Sequence, residues 1–237
     1  MSMKKALWWT ALAGAASASL AGCAPPAKDK TPGTPVSDVG SASAPSARLA
    51  SATHVPTVLF IGTSLTAGYG LDPSQAYPAL IQRMADSAGT PIRAVNAGVS
   101  GETSAGLLHR IDWVLRQPAD AVVIETGAND ALRALPVAAA RSNISTILDR
   151  VKRDKPRAKL FLVQMEAPPN LGPAYTTAFH DMYAELAKAK GATLIPFLLN
   201  GVAGRAELNQ ADGLHPNAVG ERIVAENVWG AMEGAVK

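Results

Sequence analysis

One serine, one histidine and one aspartate in this chain are spaced for nucleophilic chemistry. Ser64 follows the apolar run Thr57-Val58-Leu59-Phe60-Ile61 and the pair Gly62-Thr63. Such a run, rich in β-branched and aromatic side chains, predicts a short buried strand, and Gly62 lets the chain turn sharply away from it. Ser64 is thereby presented at the carboxyl end of a strand, the edge of an open α/β sheet where ligands bind. A hydroxyl there is a nucleophile if a base takes its proton, and a turn residue otherwise. Of the four histidines, His54 precedes the strand in a polar segment, His109 neighbours Arg110 on a predicted helix, and His180 flanks another helix. His215 differs, standing in Asp212-Gly213-Leu214-His215-Pro216. A carboxylate three residues earlier can hold its Nδ1–H, fix the tautomer and stabilise the imidazolium. Read alone, the same residues also make a helix-capping turn.

Acyl transfer further requires donors aimed where an oxyanion develops. Three loops at the predicted carboxyl edge supply candidates: the Ser64 N–H, the Gly98 N–H and the Asn129 side-chain amide. Gly98 lies in Asn96-Ala97-Gly98-Val99-Ser100-Gly101 and Asn129 in Gly127-Ala128-Asn129-Asp130, where it also suits a helix cap.

The elements that must position these groups are legible from periodicity. Arg93–Asn96, Ala121–Glu125, Lys159–Gln164 and Thr193–Ile195 read as further strands, Ala121–Glu125 being a continuous apolar run as in parallel sheets buried on both faces. Between them, helical spacing marks segments from Tyr77 to Ala88, from Thr103 or Ser104 toward Leu115, from Val137 to Arg153 and from Tyr175 to Leu186. A last helix opens after His215, with Pro216 near its first turn. Strand and helix alternate five times. Right-handed crossovers make this a three-layer α/β/α sandwich on a flavodoxin-like parallel five-stranded sheet of order 2-1-3-4-5.

The N-terminal segment has a different composition. Lys4-Lys5 precedes an apolar run from Ala6 to Leu20, and Leu20-Ala21-Gly22-Cys23 follows. The run is short for a membrane span and has the flanks of a secretory signal peptide. Its end resembles the lipobox of bacterial lipoproteins, which implies residues 1–22 as a cleaved signal, acylation of Cys23 and a lipid-anchored protein of the cell envelope. Ala24 after the cysteine resembles the outer-membrane sorting pattern, with the protein facing the periplasm. Residues 23–56, rich in Pro, Ala and Ser, read as a flexible tether, and residues 57–237 as the folded domain. Without Lys4 and Lys5 the 22 basic residues fall to 20 against 19 acidic ones, a balance that does not suggest a nucleic-acid partner. A single cysteine excludes an intrachain disulfide.

Four blocks in order, Gly62-Thr63-Ser64-Leu65, Asn96 to Gly101, Gly127 to Asp130 and Asp212 to Asn217, resemble the GDSL, or SGNH, hydrolase family, in particular its bacterial thioesterase, lysophospholipase and arylesterase group. The resemblance implies Ser64 as nucleophile, His215 as general base, Asp212 as its orienter, and Ser64, Gly98 and Asn129 as the oxyanion hole, with Asp130 shaping its loop. It implies a serine esterase or thioesterase acting on small acyl esters through an acyl-serine, without metal or cofactor. The family's usual aspartate before the serine is Thr63 here. Leu65, Leu71, Leu107, Leu108 and the Met165–Pro173 loop are candidates for an acyl pocket. Two other readings remain at this point: an O-deacetylase of envelope polysaccharide, and a tethered binding protein without turnover. No Gly-x-Ser-x-Gly elbow, P-loop or His-Glu-x-x-His motif occurs.

Overall fold

Strand β1, Thr57–Gly62, is buried along its whole length, as its apolar sequence requires of a central strand. The computed structural model describes residues 54–236; the expected signal peptide, Cys23 and most of the expected tether lie outside the described residues. Around β1 the parallel strands β2 (Arg93–Gly98), β3 (Ala121–Ile124), β4 (Lys159–Val163) and β5 (Thr193–Ile195) assemble in the order β2-β1-β3-β4-β5. The reversal of strand order at β1 opens a crevice at the carboxyl ends of β1, β2 and β3.

The helices α2 (Tyr77–Ser87), α3 (Ser104–Val114), α5 (Val137–Asp154), α6 (Pro173–Lys190) and α7 (Ala218–Val236) match the periodic segments and cover the sheet. Thr103 caps α3 by accepting the Gly106 N–H, and Gly191 ends α6 in the left-handed conformation. Two short helices carry no periodic signal: α1 (Ser64–Ala67) and α4 (Ala128–Leu132). The last helix opens just after Pro216, as expected. Pro216 precedes α7, and the Asn217 side chain caps it, its Oδ1 accepting from Val219 N at 2.9 Å and Gly220 N at 3.1 Å. Among the described residues no helix is long and apolar enough to cross a membrane.

Candidate active site

The sharp turn after β1 makes Ser64 the first residue of α1, with only 8% of its surface exposed. What holds the turn is a carboxylate missed at the sequence level. Glu125 ends the apolar run of β3 and is fully buried, accepting from the Thr63 N–H at 2.8 Å, from Thr63 Oγ1 at 2.9 and 3.0 Å, and from Thr66 Oγ1 at 2.9 Å. Burial pushes its carboxyl upward while these bonds oppose the shift. Thr63 thus contributes a hydroxyl donor where the family's usual residue is an acid, and two carboxylates are not forced together under the elbow. The only signal for Glu125 was an acid closing a buried strand.

His215 arrives from the loop between β5 and α7. Its Nε2 lies 2.9 Å from Ser64 Oγ and its Nδ1 2.6 Å from Asp212 Oδ2. Asp212 Oδ1 also accepts the Leu214 and His215 N–H groups at 2.9 and 3.0 Å. The bond from the His215 side chain, then those from the two amides, lower the Asp212 pKa to about 2. Asp212 is therefore ionised throughout the neutral range and can only accept. Nδ1 must carry the proton, which leaves Nε2 with a lone pair toward the serine hydroxyl. Tyr69 packs against the imidazole, with ring centroids 4.6 Å apart. Gln210 ties the loops together: its Nε2 donates to Tyr69 O at 2.7 Å and Pro216 O at 2.9 Å, and its N–H donates to His215 O at 2.8 Å. The other histidines lie elsewhere; His54 pairs with Asp120 and His180 with Glu166, and His109 is exposed.

Gly98 does not occupy the expected donor position. Its N–H is donated to Asn96 Oδ1 at 2.9 Å, and it does not line the cleft. A Cβ there would meet Ala67 N at 2.3 Å, so this glycine is required for the close approach of β2 to α1. The loop does reach the cleft through Ser100 and Gly101, the latter held at φ +77°. Among the described residues the Gly101 N–H, the Ser64 N–H and the Asn129 side chain have no hydrogen-bond partner, and all three residues line the cleft. Both glycines of this loop fit a turn after a strand; what separates them is the Asn96 side chain, which has already taken one amide. Arg110 braces the same loop, donating to Glu102 at 2.7 Å and to Ala97 O at 2.9 Å. Asp130 is buried and accepts from Ser104 N and Oγ at 2.8 and 2.6 Å, fastening the Asn129 loop to α3.

The cleft in front of Ser64 has a volume of about 740 Å³ and mostly apolar walls, among them Leu65, Met165, Pro168, Phe197 and Leu214. Of the candidate pocket residues, Leu65 and the Met165 loop face it, whereas Leu71, Leu107 and Leu108 do not; Leu107 is core. Among the described residues no three His, Cys, Asp or Glu side chains cluster as a metal site.

The GDSL-like lipase/acylhydrolase family matches residues 60–223. Relatives include the esterase TesA of Pseudomonas aeruginosa, 39% identical over 75% of this chain and 88% of that protein. Thioesterase 1/protease 1/lysophospholipase L1 of Escherichia coli is 35% identical over 75% of this chain and 82% of its own length. Among solved structures, the psychrotrophic esterase EstA of a Pseudoalteromonas species, inhibited by monoethylphosphonate, matches with a TM-score of 0.71 at 32% identity, covering 76% of this chain and 97% of that one.

Proposed function

The chain belongs to the GDSL-like lipase/acylhydrolase family, and from that premise we infer that it is a serine esterase working through an acyl enzyme on Ser64. The observation that carries the assignment of roles is the 2.9 Å contact of His215 Nε2 with Ser64 Oγ, with Nδ1 already committed to Asp212. His215 takes the serine proton as Oγ attacks the ester carbonyl. The oxyanion is met by the Ser64 and Gly101 N–H groups and the Asn129 amide, donors that need not be withdrawn from other partners. His215 then protonates the leaving alcohol or thiol, and water, deprotonated by the same imidazole, releases the acid.

The cleft supports aryl esters, short- to medium-chain acyl esters, thioesters and lysophospholipids as substrates, because its apolar walls gain from burying a hydrocarbon chain. The mostly apolar walls suit a hydrocarbon chain better than a carbohydrate, so the polysaccharide deacetylase reading ranks second. The lipobox-like Leu20-Ala21-Gly22-Cys23 supports an envelope lipoprotein anchored through Cys23, on the outer membrane and facing the periplasm.

Labelling with a fluorophosphonate tests the chemistry. One adduct is expected, on Ser64, and Ser64→Ala should abolish both the adduct and hydrolysis of p-nitrophenyl butyrate while keeping the melting temperature. Full turnover by Ser64→Ala would refute the assignment. Intact, folded protein that takes no label would do the same.

A further inference from the structure

The sheet has a second edge, where its strands begin, and its charge is opposite to that of the edge where they end. The loops leaving the strands carry Asp72, Glu102, Asp130, Glu166, Glu207 and Asp212, and their basic residues are Arg133 and Arg205. At the other edge the balance reverses. Helix α5 closes on Lys152 and Arg153, the connection to β4 carries Lys155 and Arg157, and β4 opens on Lys159. The nearby acids are already engaged: Asp154 by Arg153 at 2.6 Å, Asp149 by Lys190 at 2.6 Å, and Asp120 by His54 at 3.0 Å. Among the described residues, none of Lys152, Lys155, Arg157 and Lys159 forms an ion pair, although the charge of Lys155 reaches Asp154 and that of Arg157 reaches Asp120.

A cavity of about 410 Å³ opens at this edge, lined by Lys152, Lys155 and Lys159 together with Leu160 and Phe161. The lysines are exposed or half-buried and Leu160 and Phe161 are buried, so basic side chains and an apolar floor line the same cavity. The chain also enters the domain here. Val58 pairs with Ala121 and Ala121 with Lys159, which puts the start of β1 two strand spacings, roughly 10 Å, from Lys159.

We propose that this strand-start edge docks on an anionic lipid surface, with a headgroup phosphate received between Lys152, Lys155 and Lys159. Charge complementarity argues for a bilayer, since a planar array of phosphates can meet all four cations at once. The six residues of β1 hold the opposite edge roughly 20 Å away. The Ser64 cleft then faces water, and the enzyme takes esters that arrive by diffusion rather than lipids of the bilayer beneath it. The docking is independent of the Ser64 chemistry; only this corollary rests on the esterase reading.

The test is co-sedimentation of the full chain with phosphatidylcholine vesicles, with and without about 30% phosphatidylglycerol, at about 50 mM and about 500 mM NaCl. Three proteins are compared: wild type, K152Q/K155Q/K159Q, and R141Q/R205Q/R222Q, which removes the same charge from other faces. All three carry Cys23→Ser, so that no acyl anchor saturates binding and hides the contribution of this face. The lysine variant should bind the anionic vesicles at least about tenfold more weakly than wild type at low salt, with the difference collapsing at high salt. The arginine variant should follow wild type. Equal binding by wild type and the lysine variant would overturn the proposal, and so would equal losses in the two variants, which would make net charge rather than this face responsible. Hydrolysis of p-nitrophenyl butyrate by the lysine variant should match wild type, and its loss would mark a folding defect. In that event K155Q alone, still active, must show a salt-sensitive loss of binding for the proposal to stand.

Discussion

At Gly98 a missing side chain makes room for the nucleophile. A methyl group there would sit 2.3 Å from Ala67 N and 2.8 Å from Thr63 O, backbone atoms that cannot retreat without carrying Ser64 with them. Gly98→Ala should therefore lower kcat for p-nitrophenyl butyrate at least about tenfold and reduce the melting temperature, the usual result of overpacking a tight site. If the residue served only through its N–H, the alanine variant, which keeps that group, would retain full activity. The contrast with Ser64, His215 and Asp212, the proposed catalytic trio, shows what a sequence makes legible. Asp212 and His215 meet within one turn, and Ser64 follows an unmistakable strand, so local spacing was enough. Choosing between Gly98 and Gly101 required knowing where the Asn96 side chain points, and no local pattern encodes that.

Between elements the decisive contacts are long-range. Gln210 holds the Tyr69 loop against the turn carrying His215, a bond across 141 positions of the sequence. Gln210→Ala should loosen the base relative to the nucleophile, lowering kcat about tenfold with a smaller change in KM, because apolar walls rather than Gln210 bind the acyl chain. A change confined to KM would contradict this role. The same distinction governs which elements were readable. Helices α2, α3, α5, α6 and α7 bury one face and advertise it through periodicity, whereas α1 and α4 span four and five residues and are fixed by what they pack on. Glu125 was hidden for a related reason: its partners Thr63 and Thr66 lie about sixty positions away, across the β1–β3 pairing.

For the molecule as a whole, a second buried acid links stability to pH. Glu221, in the first turn of α7, accepts the Tyr77 N–H at 2.8 Å, and burial, with a further contribution from the charge of Glu125, raises its pKa to about 8. In the unfolded chain a glutamate titrates near 4.3, so between these values the unfolded state gives up a proton that the folded state keeps. Stability should accordingly decline as pH rises through that interval and level off above it. Glu221→Gln keeps an acceptor for Tyr77 and removes the titration. Its melting temperature should fall less than that of wild type between pH 5 and pH 9, and identical falls would exclude Glu221 as the source.

The separation of 151 positions between the two ends of the Ser64–His215 contact also sets when the enzyme can first act. On the proposed assignment, a ribosome that has finished β4 has made Ser64 and the candidate oxyanion donors, and not the base His215. Until the stretch beyond β5 has emerged and folded back, the nascent polypeptide is inert toward every ester in the compartment where it is synthesised. Proteolytic loss of that last stretch would return a mature molecule to the same silence.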